Sequence, residues 1–215
     1  MRKKKNFAPR WAQVSERLIP DPAAQRGHWR TLCPEARALH VELGCGKGGF
    51  LTACARSQPD ILFVGLERVS EALLMAMEKA QDLANTFFIA GDAAHLDTFF
   101  APGEVELLYI NFCDPWPSRK RSIRRLTHRD FLMRYRRLLK PGCPLRFKTD
   151  NIALFDFSLG ELQAAGARVT FCSTDWHLDP AYPNEDHLTE YEIKFSSMGV
   201  PILYLEAVVH TTEGD

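Results

Sequence analysis

The chain has 215 residues, 46% hydrophobic and 25% charged, with 27 basic and 27 acidic side chains. This is an ordinary soluble composition, long enough for one sizeable core. No apolar run approaches the roughly 18–20 residues of a membrane span, and the opening MRKKKNFAPR is basic without the apolar stretch of a signal peptide, so a cytoplasmic protein is expected. Six cysteines (Cys33, Cys45, Cys54, Cys113, Cys143, Cys172) form no C-x-x-C pair, and no histidine cluster stands at metal-ligand spacing, which predicts free thiols and no metal. Charge is segregated. Residues 118–140 carry ten Lys/Arg against Asp130 alone, residues 1–10 carry five more with no acid, and the remainder is acidic. A local positive surface attracts phosphate whatever the net charge.

Residues 1–30 read as a basic and mobile arm, and 31–215 as a single domain. Within the domain, strands are predicted over 38–44, 61–67, 86–92, 106–112, 143–150, 167–175 and 201–210. Helices are predicted over 48–57, 70–85, 127–142, 154–166 and 188–199. Ser70 is a plausible N-cap, and Met75 and Met77 read as core. Strands alternating with helices predict an α/β fold with a mostly parallel seven-stranded sheet covered on both faces.

Ligands of open α/β sheets bind beyond the carboxyl ends of the strands. Five predicted strands end in acids there: Glu42, Glu67, Asp92, Asp114 and Asp150. Carboxylates facing one another repel, so this rim calls for a cationic or donor-rich ligand. The turn GCGKGG supplies Gly44, Gly46 and Gly49 in the G-x-G-x-x-G pattern, with Glu67 23 residues beyond Gly44 as a ribose acceptor. By itself the pattern also fits a nicotinamide enzyme. Glu42 decides between them, since a carboxylate there repels a pyrophosphate and attracts the α-ammonium of S-adenosylmethionine. Asp92 suits the exocyclic amine of adenine.

The blocks VELGCGKGGF, GLERVSEAL, IAGDAAHL, NFCDPWPSRKRSIRRL, FKTDN and TEYEIKFSSMGVPI stand in an order and spacing that closely resemble the bacterial tRNA (guanine-N7-)-methyltransferases, from Val41 to Leu203. The resemblance implies a class I methyltransferase (Rossmann-like) fold, S-adenosylmethionine as donor, and a guanine of the tRNA variable loop as acceptor. By position it implies that Glu42, Gly44, Gly46, Glu67, Asp92 and Asp114 bind the donor, with Asp114 also in the catalytic place. Ser118, Asp150, Thr189, Glu190, Tyr191 and Glu192 then bind the substrate, and Arg119, Arg124 and Arg125 the tRNA phosphates. Two positions depart from the pattern: Ser118 stands where the family usually has lysine, and Arg121 where it has histidine.

N7 of guanine has an in-plane lone pair and no proton, so methylating it needs alignment and charge stabilisation rather than a general base. Carboxylates accept well from guanine N1–H and N2–H, which casts Asp114 and Asp150, with Glu192 as a third candidate, as guanine holders. Trp116, between Pro115 and Pro117, either stacks on a flipped base or lids the cofactor. The arginines of 129–137 are expected to face phosphate, because acids are scarce in that stretch. No obvious base accompanies Cys113, and His95, His128 and His187 receive no role. Exocyclic-amine methylation, RNA binding without catalysis, and nicotinamide chemistry are the weaker alternatives. Nothing in the pattern chooses between monomer and homodimer.

Overall fold

The computed structural model describes residues 6–183 and 187–209; the lysines of the N-terminal run and the end of the last predicted strand, His210, lie outside them. Seven strands, β1 (Ala38–Leu43), β2 (Ile61–Glu67), β3 (Thr86–Ala90), β4 (Leu107–Asn111), β5 (Pro144–Thr149), β6 (Arg168–Ser173) and β7 (Leu203–Val208), form one sheet in the order β3-β2-β1-β4-β5-β7-β6. All neighbours pair in parallel except β7, which runs antiparallel to both β5 and β6. The expected mostly parallel α/β sheet is present.

Alternation along the central strands sends side chains to two cores. Leu39, Val41 and Leu43 of β1, Leu62, Val64 and Leu66 of β2 and Leu108 and Ile110 of β4 pack on α5 (Arg129–Leu138) and α6 (Ile152–Ala164), with α4 (Leu96–Phe99) on the same side. Ala38, Ile61, Phe63, Leu107 and Tyr109 face α2 (Gly49–Ser57) and α3 (Ser70–Lys79). Helices therefore cover both faces, and the carboxyl ends of β1 to β5 share one rim. Among the described residues no helix is long and apolar enough to cross a membrane.

Two helix expectations change in detail. Ser70 is the first residue of α3 rather than its cap, which is Val69. Met77 is buried but Met75 is exposed; positions two apart on a helix face opposite ways, so one core face cannot hold both.

The segment expected as a mobile arm is, from Phe7 onward, packed on the domain. Helix α1 (Phe7–Val14) buries Val14, and Arg10 grips Glu78 of α3 with two hydrogen bonds of 2.7 and 2.6 Å. Ile19 N–H donates to Phe88 O at the sheet edge, 2.9 Å. Trp29 has no solvent exposure; its ring stacks on Phe100 at 5.2 Å and its Nε1–H donates to Phe99 O at 2.8 Å. These apolar anchors (Val14, Ile19, Trp29) are spaced irregularly, so no helical or strand period marks them in the sequence.

Burial of this kind sets the expected outcome for Trp29→Ala: a loss of about 3–5 kcal/mol of unfolding free energy in urea. A loss below about 1 kcal/mol would mean that residues 7–30 do not belong to the folded body.

Candidate active site

The strand order changes direction between β1 and β4, which opens a crevice at the rim. Glu42 of β1 and Asn111 of β4 meet in it. Glu42 is 2% exposed, and its Oε1 accepts from Asn111 Nδ2 at 2.9 Å. Its Oε2 is buried with no hydrogen-bond partner among the described residues. Burial pushes the Glu42 carboxyl up to about 7; the Asn111 bond pulls against this, Glu190 and Glu67 add to it, and Lys148 opposes it.

The glycine turn wraps over this carboxylate. Gly44 and Cys45 both donate backbone N–H to Leu66 O, at 2.8 and 3.1 Å. Gly46 has φ +55° and gives its N–H to Glu67 Oε2 at 3.0 Å. Glu67 Oε1 accepts from Arg68 N and Val69 N, 2.9 and 2.8 Å. One carboxylate thus clamps two turns, and that fixes where its remaining lone pairs point. At Gly48, φ is +73° and a Cβ would lie 2.7 Å from that of Ala76, so only glycine lets α2 and α3 approach. Asp92 is exposed, and its Oδ1 caps the turn at Ala94 N, 2.9 Å.

Asp114 follows β4 in a tight turn where Phe112 and Trp116 both take positive φ, 49° and 40°. Its side chain is 68% exposed and faces Arg68 Nη2 at 3.4 Å, a surface pair that costs little to exchange for another partner. Trp116 lies under Arg124 and Arg121, whose guanidinium carbons are 5.1 and 5.9 Å from its ring. Arg125 points the other way: Nε donates to Pro115 O at 2.9 Å and Nη2 to Trp116 O at 3.1 Å. Arg125, expected at a phosphate, thus makes both of these bonds to the turn itself.

Helix α7 (Glu190–Ser197) begins with a capping box. Glu192 N–H donates to Thr189 Oγ1 at 2.9 Å, and Thr189 N–H to Glu192 Oε2 at 3.3 Å. Glu192 has no exposure and pairs with Lys148 Nζ at 3.2 and 3.4 Å and with His177 Nε2 at 2.9 Å. The carboxylate expected to hold a guanine is thus enclosed by these partners. Glu190 pairs with Lys79 and lies so close to Gly49 that a Cβ there would be 2.6 Å from its carboxyl carbon. Burial raises the Glu190 carboxyl, but hydrogen bonds from Lys79 and from backbone N–H groups, Gly49 among them, leave it below its ordinary value. Tyr191 is exposed and stacks on Phe112 at 6.1 Å. Asp150 is half-buried, with no hydrogen-bond or ion-pair partner among the described residues.

The rim therefore gathers Glu42, Glu67 and Glu190 around the glycine turn, and Asp114 reaches it through Arg68. Asp92 and Asp150 flank it without touching it. Sequence reasoning missed Asn111 and Lys148; their signal is a polar residue at or one step from the carboxyl end of its strand. It also overstated the free basic surface. Arg129 binds Glu161, Arg134 and Arg137 bind Asp97, and Lys140 lies 4.0 Å from Glu106. Arg119, Lys120, Arg121 and Arg124 are exposed, with no carboxylate partner among the described residues. A cavity of about 600 Å³ opens on the α2 face of the sheet beside Phe50, Asn111, Lys148 and Tyr204. Its lining includes Asn111 but no residue of the glycine turn.

Residues 36–205 match the model of a family described as "Putative methyltransferase". A tRNA (guanine-N(7)-)-methyltransferase of Geobacillus kaustophilus is 41% identical over 92% of this chain and 91% of its own length. One of Limosilactobacillus fermentum is 40% identical over 95% of both. The chain belongs to the tRNA (guanine-N(7)-)-methyltransferase family. Solved structures of an antibiotic-related methyltransferase and of the 16S rRNA methyltransferase KamB share the methyltransferase fold. Each has a TM-score of 0.63, at 17% and 16% identity, covering 84% and 86% of this chain and 92% and 93% of theirs.

The buried carboxyl yields a pH signature. The folded protein holds the Glu42 proton more tightly than the unfolded chain, from an ordinary 4.5 to about 7. Its contribution to stability is thus complete below pH 4.5 and is lost as pH rises through 7, a difference of roughly 3 kcal/mol. Glu42→Gln should match the parent near pH 4.5 and exceed it at pH 8 by about 1–3 kcal/mol in ligand-free unfolding. A gap that stays constant over that range would contradict the assignment.

Proposed function

We propose that the chain transfers a methyl group from S-adenosylmethionine to N7 of a guanine in tRNA, at the variable loop. The observation that carries this is Glu42 Oε2: a buried carboxylate oxygen with no hydrogen-bond partner among the described residues fits a ligand ammonium, which both donates hydrogen bonds and supplies countercharge. The family's named activity supports the acceptor. S-adenosylmethionine supplies an electrophilic methyl on a sulfonium.

Glu42 and Asn111 would hold the donor's amino group, Glu67 its ribose hydroxyls, and Asp92 its adenine amine through the oxygen not used on Ala94. The turn at Gly44 and Gly46 gives the donor a backbone wall free of Cβ atoms. Asp114 and Asp150 would accept from the guanine Watson–Crick edge and offset the positive charge that develops on the base; no residue is needed to take a proton from N7. Because Asp114 is held only loosely by Arg68, it can change partners without leaving a buried charge behind. Thr189 and Glu192 act indirectly by setting α7, which presents Tyr191 and Glu190. Ser118 would offer a hydroxyl beside Asp114, and Arg119 and Arg124 would meet phosphate around Trp116. We place the reaction in the cytoplasm, where tRNA and reduced thiols coexist.

With labelled S-adenosylmethionine and unmodified tRNA, digestion to nucleosides should place all label in 7-methylguanosine; label in any other nucleoside overturns the proposal. Asp114→Ala should lower turnover by about a hundredfold or more while tRNA affinity stays within about threefold. Near-normal turnover would remove Asp114 from the reaction.

A further inference from the structure

We propose that Arg125 is a positioning residue for the Asp114 turn and makes no phosphate contact; this rests on the methyl-transfer reading above. The turn from Phe112 to Trp116 cannot secure itself. Two of its residues, neither of them glycine, sit at positive φ, a region that L side chains disfavour. Pro115 and Pro117 have no N–H to donate. The carbonyls of Pro115 and Trp116 both converge on one guanidinium, Nε at 2.9 Å and Nη2 at 3.1 Å. Arg125 is half-buried, and its guanidinium carbon lies 4.2 Å from the Phe157 ring centre. Phe157 belongs to α6, whose Leu154, Phe155 and Leu162 are in the core. A chain of rigid contacts therefore runs from core helix to ring, from ring to planar fork, and from fork to the two carbonyls that follow Asp114.

The neighbouring arginine behaves oppositely. Arg124 is exposed, and it lies over Trp116 on the solvent side. For Arg125 to reach a phosphate it would have to abandon two carbonyls and its aromatic support. Lysine could replace its charge but neither the fork geometry nor the flat stacking. The two adjacent arginines thus divide the work: one fixes the acid, the other meets the nucleic acid.

The test compares Arg125→Ala, Arg125→Lys, Phe157→Leu and Arg124→Ala in the full chain. Three readouts apply: single-turnover transfer with saturating donor and tRNA, salt dependence of tRNA affinity, and amide exchange of peptide 112–119 without ligand. Arg125→Ala should slow transfer about tenfold or more, keep the parental salt slope, and speed exchange at the Phe112 amide, which donates to Lys148 O at 2.9 Å where the turn begins. Arg125→Lys should not restore the rate, and Phe157→Leu should move exchange the same way to a smaller degree. Arg124→Ala should lower the salt slope by about 1 and leave exchange unchanged. A slope lowered by about 1 in Arg125→Ala, with rate and exchange preserved, would make it a phosphate contact and overturn the proposal. Unchanged exchange overturns it whatever the rate does. If the parent forms no 7-methylguanosine, the functional reading fails, and the exchange arm still decides whether Arg125 holds the turn.

Discussion

A carboxylate buried at a strand end with one oxygen satisfied and the other facing nothing is an expensive object to fold. Leaving such a group unpaired costs on the order of 1–3 kcal/mol or more, and Glu42 responds by holding its proton up to about pH 7. The surroundings relieve it only in part, through Asn111 and the charge of Lys148. Asn111 supplies a single hydrogen bond, while Glu67 and Glu190 nearby add negative potential. A core optimised only for stability would place an apolar or amide side chain here. Retaining the acid makes sense if a cation completes the site, so the loss in the free protein is recovered on binding.

A second buried charge fixes the other wall. Lys148 and Glu192 form an ion pair with almost no exposure, and His177 adds a third contact. Such pairs contribute little net stability, because desolvation offsets most of the attraction. Breaking one is costly, however, so the pair specifies a single arrangement. Here it locks the start of α7 onto β5. That places Glu190 at the first turn of α2, where backbone N–H groups favour an anion, and sets Tyr191 against Phe112. The residues facing the crevice are thus held by partners that never touch it.

Much of this was legible in the sequence because it is local. Glu42, Glu67, Asp92 and Asp114 stand at or just beyond strand ends, and the strands follow from apolar runs bounded by turn residues. What failed depends on pairs distant in sequence. Arg134 and Arg137 look like a free basic face until Asp97, some 40 positions away, is brought beside them. Arg129 finds Glu161 in the same way. Glu192 looks like a free acid next to Tyr191 because nothing local shows that Lys148 will be under it. Arg124 and Arg125 are indistinguishable as letters; only the shape of the turn turns one outward and the other inward. The N-terminal segment is a similar case, since Trp29 is apolar in an unpatterned stretch and only the Phe100 ring gives it a place.

Removing the paired cations sharpens the electrostatic picture. Among the described residues, the cations of 118–140 without a carboxylate partner are Arg119, Lys120, Arg121, Arg124, Arg125 and Arg136; the first four lie in one short stretch folded around Trp116, soon after Asp114. Ten charges spread along a helix would make a broad, weakly directional field. Four without carboxylate partners at one turn make a compact one, screened within about 8–10 Å at physiological salt. A field of that range steers phosphate only when it is already near the turn, so it favours the local approach of a folded RNA over capture along an extended strand. Trp116, sandwiched by cations on one side, loses entropy before any base arrives, and a ring already ordered stacks at lower cost. The same strained turn therefore sets the directions of the acid, the ring and the cations together. Its backbone has little freedom to turn one without the others, and all of them sit within a dozen residues of each other.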